Sequence, residues 1–418
     1  MSTRIDVTQQ LRTDYRTGSK SEKSAILDQF CASTGLGRST ARRYLTSKTI
    51  GVSNVVRFDR RKHKPTKYSA NAKKQLIRVW RLMGMPSGKY MAAVLLIWLD
   101  ALEAHDEIAV GRSGYNPTVR TQLLSMSAAT IDRYLKAERD RLKLKGIATT
   151  KPGALLRNSI TVRKAGDEVE DEPGFFETDT VAHCGPTLKG EFARTLTMTD
   201  VRTGWVHLEV LRNNAQVHIL AGLDRAAAAI PYAIAGLDCD NGSEFINHEV
   251  MGWAADRLIF FTRSRPYKKN DQATVESKNN HAVRKFGFHY RYDTHDERAI
   301  LAALWQVVCL KLNYFTATKK PTGWTQAASG RRKRVYDDPT TPYQRLVDSG
   351  ILSTAQHEEL EAIYRSINPA QLTRQILTYQ DRLISLAKDK TLTIAANIND
   401  KDHARQKRRT TGIRIKAS

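Results

Sequence analysis

Between residues 21 and 47, "SEKSAILDQFCASTGLGRSTARRYLTS", apolar or small residues recur at helical spacing on both sides of a glycine-containing break. Ile26, Leu27, Phe30, Leu36, Ala41, Tyr44 and Leu45 can close a small core, predicting a helix, a tight turn at Gly35–Gly37 and a second helix capped near Ser39. Arg38, Arg42 and Arg43 are left outside it. Two readings fit this pattern: a helix-turn-helix whose second helix enters the major groove, or an ordinary helical hairpin with solvated arginines. Residues 123 to 143, "LLSMSAATIDRYLKAERDRLK", have the same layout, and Thr130-Ile131-Asp132-Arg133-Tyr134-Leu135 echoes Thr40-Ala41-Arg42-Arg43-Tyr44-Leu45. Two similar units suit a bipartite DNA site, with Arg133 as the counterpart contact. Between them, "RFDRRKHKPTKYS" (57–69) is a basic linker able to lie along phosphates, and 71–105 is helical by periodicity. Its apolar run "MAAVLLIWL" (91–99) is too short to span a bilayer and predicts a buried helix starting after Pro86-Ser87.

The texture changes after "RKAGDEVEDEPG" (163–174), which turns acidic and ends in Pro-Gly, marking a domain boundary. "FFETDTVAH" (175–183) predicts a strand, and 194–211 a hairpin turning at Arg202–Gly204. A helix over roughly Ala215–Ala229 precedes a buried strand, "AIAGLDCD" (233–240). "RLIFFTRS" (257–264) is a further strand, and 271–286 starts a helix. Three antiparallel strands, a helix, a parallel strand and then alternating helix and strand is the order of an RNase H-like α/β domain. Residues 354–390 place Leu360, Ile363, Tyr364, Ile367, Leu372, Ile376, Leu377 and Leu383 at helical spacing, as a folded helical pair or a multimerisation arm; the pattern leaves both open. The expected organisation is therefore multidomain: an α-helical helix-turn-helix region (1–56), a basic linker with a second such region (57–170), the α/β core (175–330), and a mostly helical C-terminal region with a basic tail (331–418).

Charge sharpens this picture. The chain of 418 residues carries a formal net charge of +24. Residues 1–150 hold 28 Lys/Arg against 12 Asp/Glu, while 175–330 hold 18 against 16 and 331–418 hold 17 against 10. An excess on the flanks of a nearly neutral middle points to a polyanionic partner, of which nucleic acid is the commonest. Cys31, Cys184, Cys239 and Cys309 lie far apart without CxxC spacing, which argues against a disulfide framework or structural zinc and fits a reducing compartment. The N-terminus lacks the apolar core of a signal peptide, so a soluble intracellular protein without membrane contact is expected.

Against this background the acids of the α/β region form a constellation. Glu177 and Asp179 share one face of the first strand, because side chains repeat every two residues. Asp240 closes the buried strand, with Asn241-Gly242 turning the chain away, and Glu276 falls on the first turns of the helix after the next strand. Such acids can converge on one cleft, where their mutual repulsion would call for cations. Singly, each has a blander reading as a cap, a turn former or a solvated residue.

The spacing changes that weighing. "DNGSEF" headed by Asp240, then "SRPYKKNDQATVESKNN" with Glu276 after thirty-five intervening residues, resembles the DDE integrase core of insertion-sequence transposases and retroviral integrases. The PYKKND and VExKN elements, with "LNYFTATKKPTGW" (312–324) behind them, are more similar to the bacterial insertion-sequence side; the likeness is strong over 175–330 and looser at "VYDDPTTPYQRLVDSGILS" (335–353). It implies a DNA transposase that cuts element ends and joins them to target DNA, with Asp179, Asp240 and Glu276 as catalytic residues and ligands of two Mg²⁺, Mn²⁺ substituting. Glu177 and Asp238 are the runner-up acids. It further implies that Arg265, Lys268, Lys269 and Lys278 meet DNA. The implied partners are double-stranded DNA, both terminal repeats and target, and further copies of the chain in a dimer or larger assembly. Whether an ATPase helper is needed stays open. A bacterial cytoplasmic, nucleoid-associated location follows.

Departures from the pattern limit what carries over. The His/His/Cys/Cys zinc domain of retroviral integrases is absent, since the first 170 residues hold only His63, His105 and Cys31. Asn280 and Val283 stand where those enzymes carry lysines after the catalytic Glu. His183-Cys184 invites a metal reading but lacks partners. Competing readings are a metal-dependent nuclease of the same fold without strand transfer, and a DNA-binding regulator with an inactive core.

Overall fold

The computed structural model describes residues 2–46, 67–142, 162–163, 172–239, 244–245, 247–264, 275, 278–326 and 332–412. Backbone contacts divide the chain into two compact units, Met1–Lys67 and Tyr68–Ser418.

In the first unit, α1 (Ser2–Thr17), α2 (Lys20–Thr34) and α3 (Arg38–Thr46) enclose Tyr15, Leu27, Phe30, Ala41 and Leu45. Ser19 and Glu22 form a reciprocal capping box that starts α2, and Gly35 ends it at φ +68°, a left-handed conformation that a side chain would strain. The structure differs from the sequence expectation at two points. α1, which the apolar pattern does not single out, supplies Tyr15 and the partly buried Leu11 to the core. Tyr44 is 51% exposed, because Ala41 and Leu45 define the inward face of α3 and Tyr44 lies about 100° round the helix from Leu45. Only its carbonyl is used, accepting from Arg12 Nε at 2.7 Å.

The second unit opens with four helices: α4 (Ala70–Leu82), α5 (Gly88–Ala104), α6 (Pro117–Leu124) and α7 (Ala128–Arg141). Ser69, Asn116 and Ser127 each cap the following helix by accepting a backbone N–H. α5 begins after Ser87, as the apolar run predicts, and buries Met91, Val94, Leu95, Trp98, Leu99 and Leu102.

A mixed six-stranded sheet follows, with strands β1 (Val162–Arg163), β2 (Phe175–Ala182), β3 (Arg194–Asp200), β4 (Val206–Leu211), β5 (Gly236–Cys239) and β6 (Phe260–Ser264) in the order β1-β6-β5-β2-β3-β4. β2, β3 and β4 form an antiparallel meander, while β5 and β6 run parallel to β2. This strand order and direction is that of the RNase H-like α/β domain expected from the element order. α8 (Gln216–Ala229) and α9 (His248–Asp256) are the crossovers. β2 and β5 approach so closely that a Cβ on Gly236 would sit 2.2 Å from the Phe175 ring, so only glycine fits there.

Beyond the sheet, the helix His295–Phe315 is pinned to β4 by Asn313, which accepts from Val206 N at 2.8 Å and donates to Val206 O at 2.9 Å. The ribbon β7 (Pro321–Gln326) and β8 (Arg332–Tyr336) and helices Pro342–Asp348, Thr354–Ser366 and Pro369–Gly412 complete the chain. The last helix lays Leu372, Ile376, Leu383 and Ala387 into the core. Of the two alternatives left by its periodicity, its first half is a packed element of this unit.

One apolar core runs from Tyr68 to Ala387. Polar bonds tie its parts together. Trp98 Nε1 donates to Phe315 O at 2.9 Å, and Lys311 Nζ reaches Leu82 O at 3.0 Å and Thr373 Oγ1 at 2.7 Å. Glu107, in the turn after α5, accepts from Asn368 and Arg374. No helix among the described residues is long and apolar enough to cross a membrane.

Candidate active site

β2 lies between β3 and β5 at the centre of the sheet, and it carries Glu177 and Asp179 on one face. Asp179 is half-buried. Its Oδ1 accepts from the N–H of Thr180 at 2.7 Å and its Oδ2 from Asn279 Nδ2 at 2.6 Å. Glu177 is buried and accepts the N–H of Val275 at 2.9 Å through Oε2. Both acids of β2 are therefore bound to the segment that follows β6 in the chain.

The neighbouring strand repeats the arrangement. In the parallel register Glu177 stands opposite Asp238 and Thr178 opposite Cys239. Asp238 is fully buried and accepts from Thr262 Oγ1 of β6 at 2.7 Å. All four residues of β5 are buried, so the chain stays inside the sheet up to Cys239. It is fastened again at Glu244 and Phe245. Glu244 Oε1 accepts from Arg194 Nη1 at 3.2 Å and from Thr180 Oγ1 at 3.1 Å, and Arg194 also reaches Thr180 Oγ1 at 3.0 Å. Phe245 is fully buried, and Asn247 caps α9 while donating to Glu244 O.

Of the sequence-predicted triad, Asp179 is thus placed on the central strand, whereas Asp240 and Glu276 lie outside the described residues, as do Arg265, Lys268 and Lys269. The chain is nonetheless anchored on both sides of each missing acid: at Cys239 and Glu244 around Asp240, and at Val275 and Asn279 around Glu276. Sequence reasoning gave no role to Arg194, Glu244, Thr262 or Asn279. Glu244 and Asn279 do lie inside the quoted motifs "DNGSEF" and "VESKNN", which was the available signal.

Asn279 opens a π-helical turn, Asn279–Arg284, where an α-helix was expected. Such wider turns concentrate at functional sites, because they displace a side chain from the regular helical spacing. Here the turn brings the Asn279 amide to Asp179. Its carbonyl oxygen, Oδ1, is buried with no hydrogen-bond partner among the described residues. The reverse orientation of the amide would set that oxygen against the Asp179 carboxylate, so the orphan acceptor is the less costly arrangement.

The donor set is one of hard oxygens. Asp179 offers hard carboxylate oxygens, the donor type that oxygen-seeking divalent cations such as Mg²⁺ and Mn²⁺ take, and among the described residues no three acid, His or Cys side chains come together as a metal-holding group. The nitrogen and sulfur candidates point elsewhere. His183 is buried with Nε2 2.7 Å from Thr195 Oγ1, and desolvation lowers its pKa to about 3, so its ring is neutral. Cys184 donates its Sγ–H to the Gly185 carbonyl at 3.4 Å.

The predicted DNA contacts occupy varied settings. Arg42 and Arg43 are exposed on α3, while Arg38 pairs with Asp28 and donates to Ser24 Oγ at 2.6 Å. Arg133 is exposed on α7 and lies over the Tyr134 ring. Lys278 is half-buried, its ammonium near Lys320, Arg345 and Cys309, and desolvation lowers its pKa to about 7.

Residues 170–269 match the family model of the integrase core domain, a span that includes Glu177, Asp179, Asp238 and Glu244. The uncharacterized protein y4rM of Sinorhizobium fredii (strain NBRC 101917 / NGR234) is 32% identical over 347 residues, covering 82% of this chain and 95% of that protein. The chain belongs to the integrase-core family. Among solved structures it is similar to the catalytic core domain of BIV integrase at 15% identity and a TM-score of 0.29, over 42% of this chain and 95% of that one. Membership carries polynucleotidyl transfer of the DNA-integration type as the general activity of the core, and DNA as what such proteins bind.

Proposed function

We propose that this integrase-core protein is a DNA transposase of the insertion-sequence kind, with Asp179, Asp240 and Glu276 as its catalytic triad. What supports the triad most is that both missing acids are covalent neighbours of residues tied to the catalytic strand. Asp240 follows Cys239, the sheet partner of Thr178, and Glu276 follows Val275, whose N–H is bonded to Glu177. A chain advances only about 3.8 Å per residue, so each acid starts within reach of Asp179.

The three carboxylates would hold two Mg²⁺, or Mn²⁺ in their place. When bound, such ions would supply positive charge against the charge that develops on a reacting phosphodiester. Asp179 is positioned for this by the Asn279 amide, which holds one carboxylate oxygen and leaves the carboxylate oriented by the sheet. Water would cleave the phosphodiester at an element end to free a 3′-OH, and that hydroxyl would attack target DNA by the same in-line displacement. No Ser or Tyr nucleophile is required. α3 and α7 would recognise the terminal repeats through Arg38, Arg42, Arg43 and Arg133, while Arg265, Lys268 and Lys269 would lie along DNA near the core; Lys278, whose ammonium is desolvated beside Lys320, Arg345 and Cys309, is left out of that surface. Joining two ends calls for a dimer or larger assembly on DNA, in the bacterial cytoplasm.

The test is a strand-transfer assay with purified protein, Mg²⁺ or Mn²⁺, DNA ends from the flanks of its own gene, and a supercoiled plasmid. Joined products that disappear in Asp179→Asn, Asp240→Asn and Glu276→Gln establish the reading. Cleavage without joining replaces it with a metal-dependent nuclease. DNA binding with neither, unchanged in the variants, replaces it with a regulator.

A further inference from the structure

We propose that Thr197 is a positioning residue for Asp179, holding its carboxylate through a water buried between β2 and the helix that covers the sheet. The inference rests on the reading of Asp179 as a catalytic acid and adds a residue that this reading does not include.

β3 presents Thr195, Thr197 and Thr199 on one face, and all three are fully buried. The antiparallel register sets Thr197 directly opposite Asp179 and Thr199 directly opposite Glu177, so the hydroxyls and the acids share that face. On its other side β3 sets the same positions against Leu208 and Val206 of β4, which are apolar. The face therefore turns from apolar to polar at β3, in the direction of the acids. The helix His295–Phe315 covers it. Trp305 Nε1 donates to Thr195 Oγ1 at 3.0 Å, and Asn313, about two turns further along, grips both backbone groups of Val206, the partner of Thr199. Thr197 lies between these two fastenings, shut off from bulk solvent.

The hydroxyls of this row are not treated alike. Thr195 Oγ1 is bonded to Trp305 and lies 2.7 Å from His183 Nε2, whereas Thr197 Oγ1 and Thr199 Oγ1 have no hydrogen-bond partner among the described residues. A buried hydroxyl without a partner gives up its bonds to water on folding and regains none, a cost that valine, of nearly the same shape and as well suited to a strand, would avoid. A bound water removes that cost wherever it finds two to four polar partners. Beside Thr197 such partners are present. The Asp179 carboxylate stands across the strand pair, and the Asn279 amide, whose nitrogen is 2.6 Å from Asp179 Oδ2, carries a second buried atom without a partner, Oδ1. Opposite side chains on an antiparallel pair have Cβ atoms about 4.5–5.5 Å apart, a separation that one water bridges. That water accepts from the Thr197 hydroxyl and donates to Asp179 and to Asn279 Oδ1. It satisfies two orphan atoms at once and steadies Asp179 from the β3 side, where the Asn279 nitrogen does not reach. Thr199 repeats the arrangement opposite Glu177, so the row of hydroxyls backs both acids of β2.

The test uses the full-length protein and three variants. Thr197→Val removes the hydroxyl, Thr197→Ser keeps it, and Thr178→Val removes a hydroxyl that is equally buried and equally without a partner from the opposite face of β2. Two quantities are measured: the midpoint of denaturant unfolding without metal, and the half-saturating Mg²⁺ concentration for DNA cleavage. Thr197→Val should unfold at a lower denaturant concentration than wild type and need about 10- to 100-fold more Mg²⁺, the usual loss when a group that orients a ligand is removed. Thr197→Ser and Thr178→Val should titrate with Mg²⁺ as wild type does. A Thr197→Val protein as stable as wild type, or more so, overturns the water, because removing a bare hydroxyl relieves a cost. A lower midpoint with an unshifted Mg²⁺ titration, or an equal shift in Thr178→Val, overturns the positioning role. Wild type without metal-dependent cleavage overturns the catalytic reading instead, and the unfolding midpoints then still decide the water.

Discussion

Asn279 donates its side-chain amide to Asp179 across one hundred residues of sequence, at 2.6 Å, from the first position of a π-helical turn. This bond joins the segment that follows β6 to β2 and holds one carboxylate oxygen of Asp179. Asn279→Ala is expected to lower metal-dependent DNA cleavage about 10- to 100-fold, the usual cost of losing a group that orients a ligand. Asn279→Asp sets a second carboxylate against Asp179 and should lose more. A Mg²⁺ titration of cleavage checks this: the half-saturating concentration should rise in both variants, and an unshifted titration would count against the positioning role.

The Arg194–Glu244 pair is a second tie, with side chains only 18% and 15% exposed. Arg194→Met leaves Glu244 with the Thr180 hydroxyl alone, and should cost about 2 kcal/mol of stability, the scale of a buried polar group deprived of its partner. Denaturant unfolding measures it. Cleavage should also fall, since Glu244 fastens the chain four residues after Asp240.

Lys311 gives the fold a pH dependence on the alkaline side. Burial lowers its pKa from 10.5 to about 7, so between these values the unfolded chain binds a proton that the folded protein does not. Stability from this group therefore rises as pH increases from about 7 toward 10. Lys311→Met should flatten that rise in a series of melting temperatures across this range.

His183 acts at the other end. Its buried ring, bonded to Thr195 and packed at a tilt against Tyr292 and Trp305, has its pKa lowered from 6.5 to about 3 by desolvation. The unfolded state binds the proton first, so this stabilisation is complete above about 6.5 and is lost as pH falls toward 3. His183→Gln should shift the midpoint of acid unfolding to lower pH, followed by the fluorescence of Trp305.

Because one core runs from Tyr68 to Ala387, the helices α4–α7 and the sheet should unfold together. Trp98→Ala removes a fully buried indole and its bond to Phe315 O, and should cost about 3–5 kcal/mol. Calorimetry should show a single shifted transition for this unit; two transitions, only one of them shifted, would show separate domains.

What the sequence determined by itself was local and periodic. The alternation in "FFETDTVAH", the glycine turn at 202–204, the helix from Ala215 and the buried run after Ser87 each carry their element type within a short window, because strand and helix periods are set by backbone geometry. The same alternation put Glu177 and Asp179 on one face of that strand, whereas the choice of Asp179, Asp240 and Glu276 as a triad came from the motif resemblance. The tertiary structure decided what depends on where distant segments return. The bond of Glu177 to Val275, the closing of Arg194 on Glu244, the exposure of Tyr44 and the merging of α4–α7 into the core of the sheet all join residues whose separation leaves no period in the chain. The π-helical turn belongs with them. Local pattern allows an α-helix there, and the added residue is repaid only by reaching Asp179, a partner that the folded sheet puts in place.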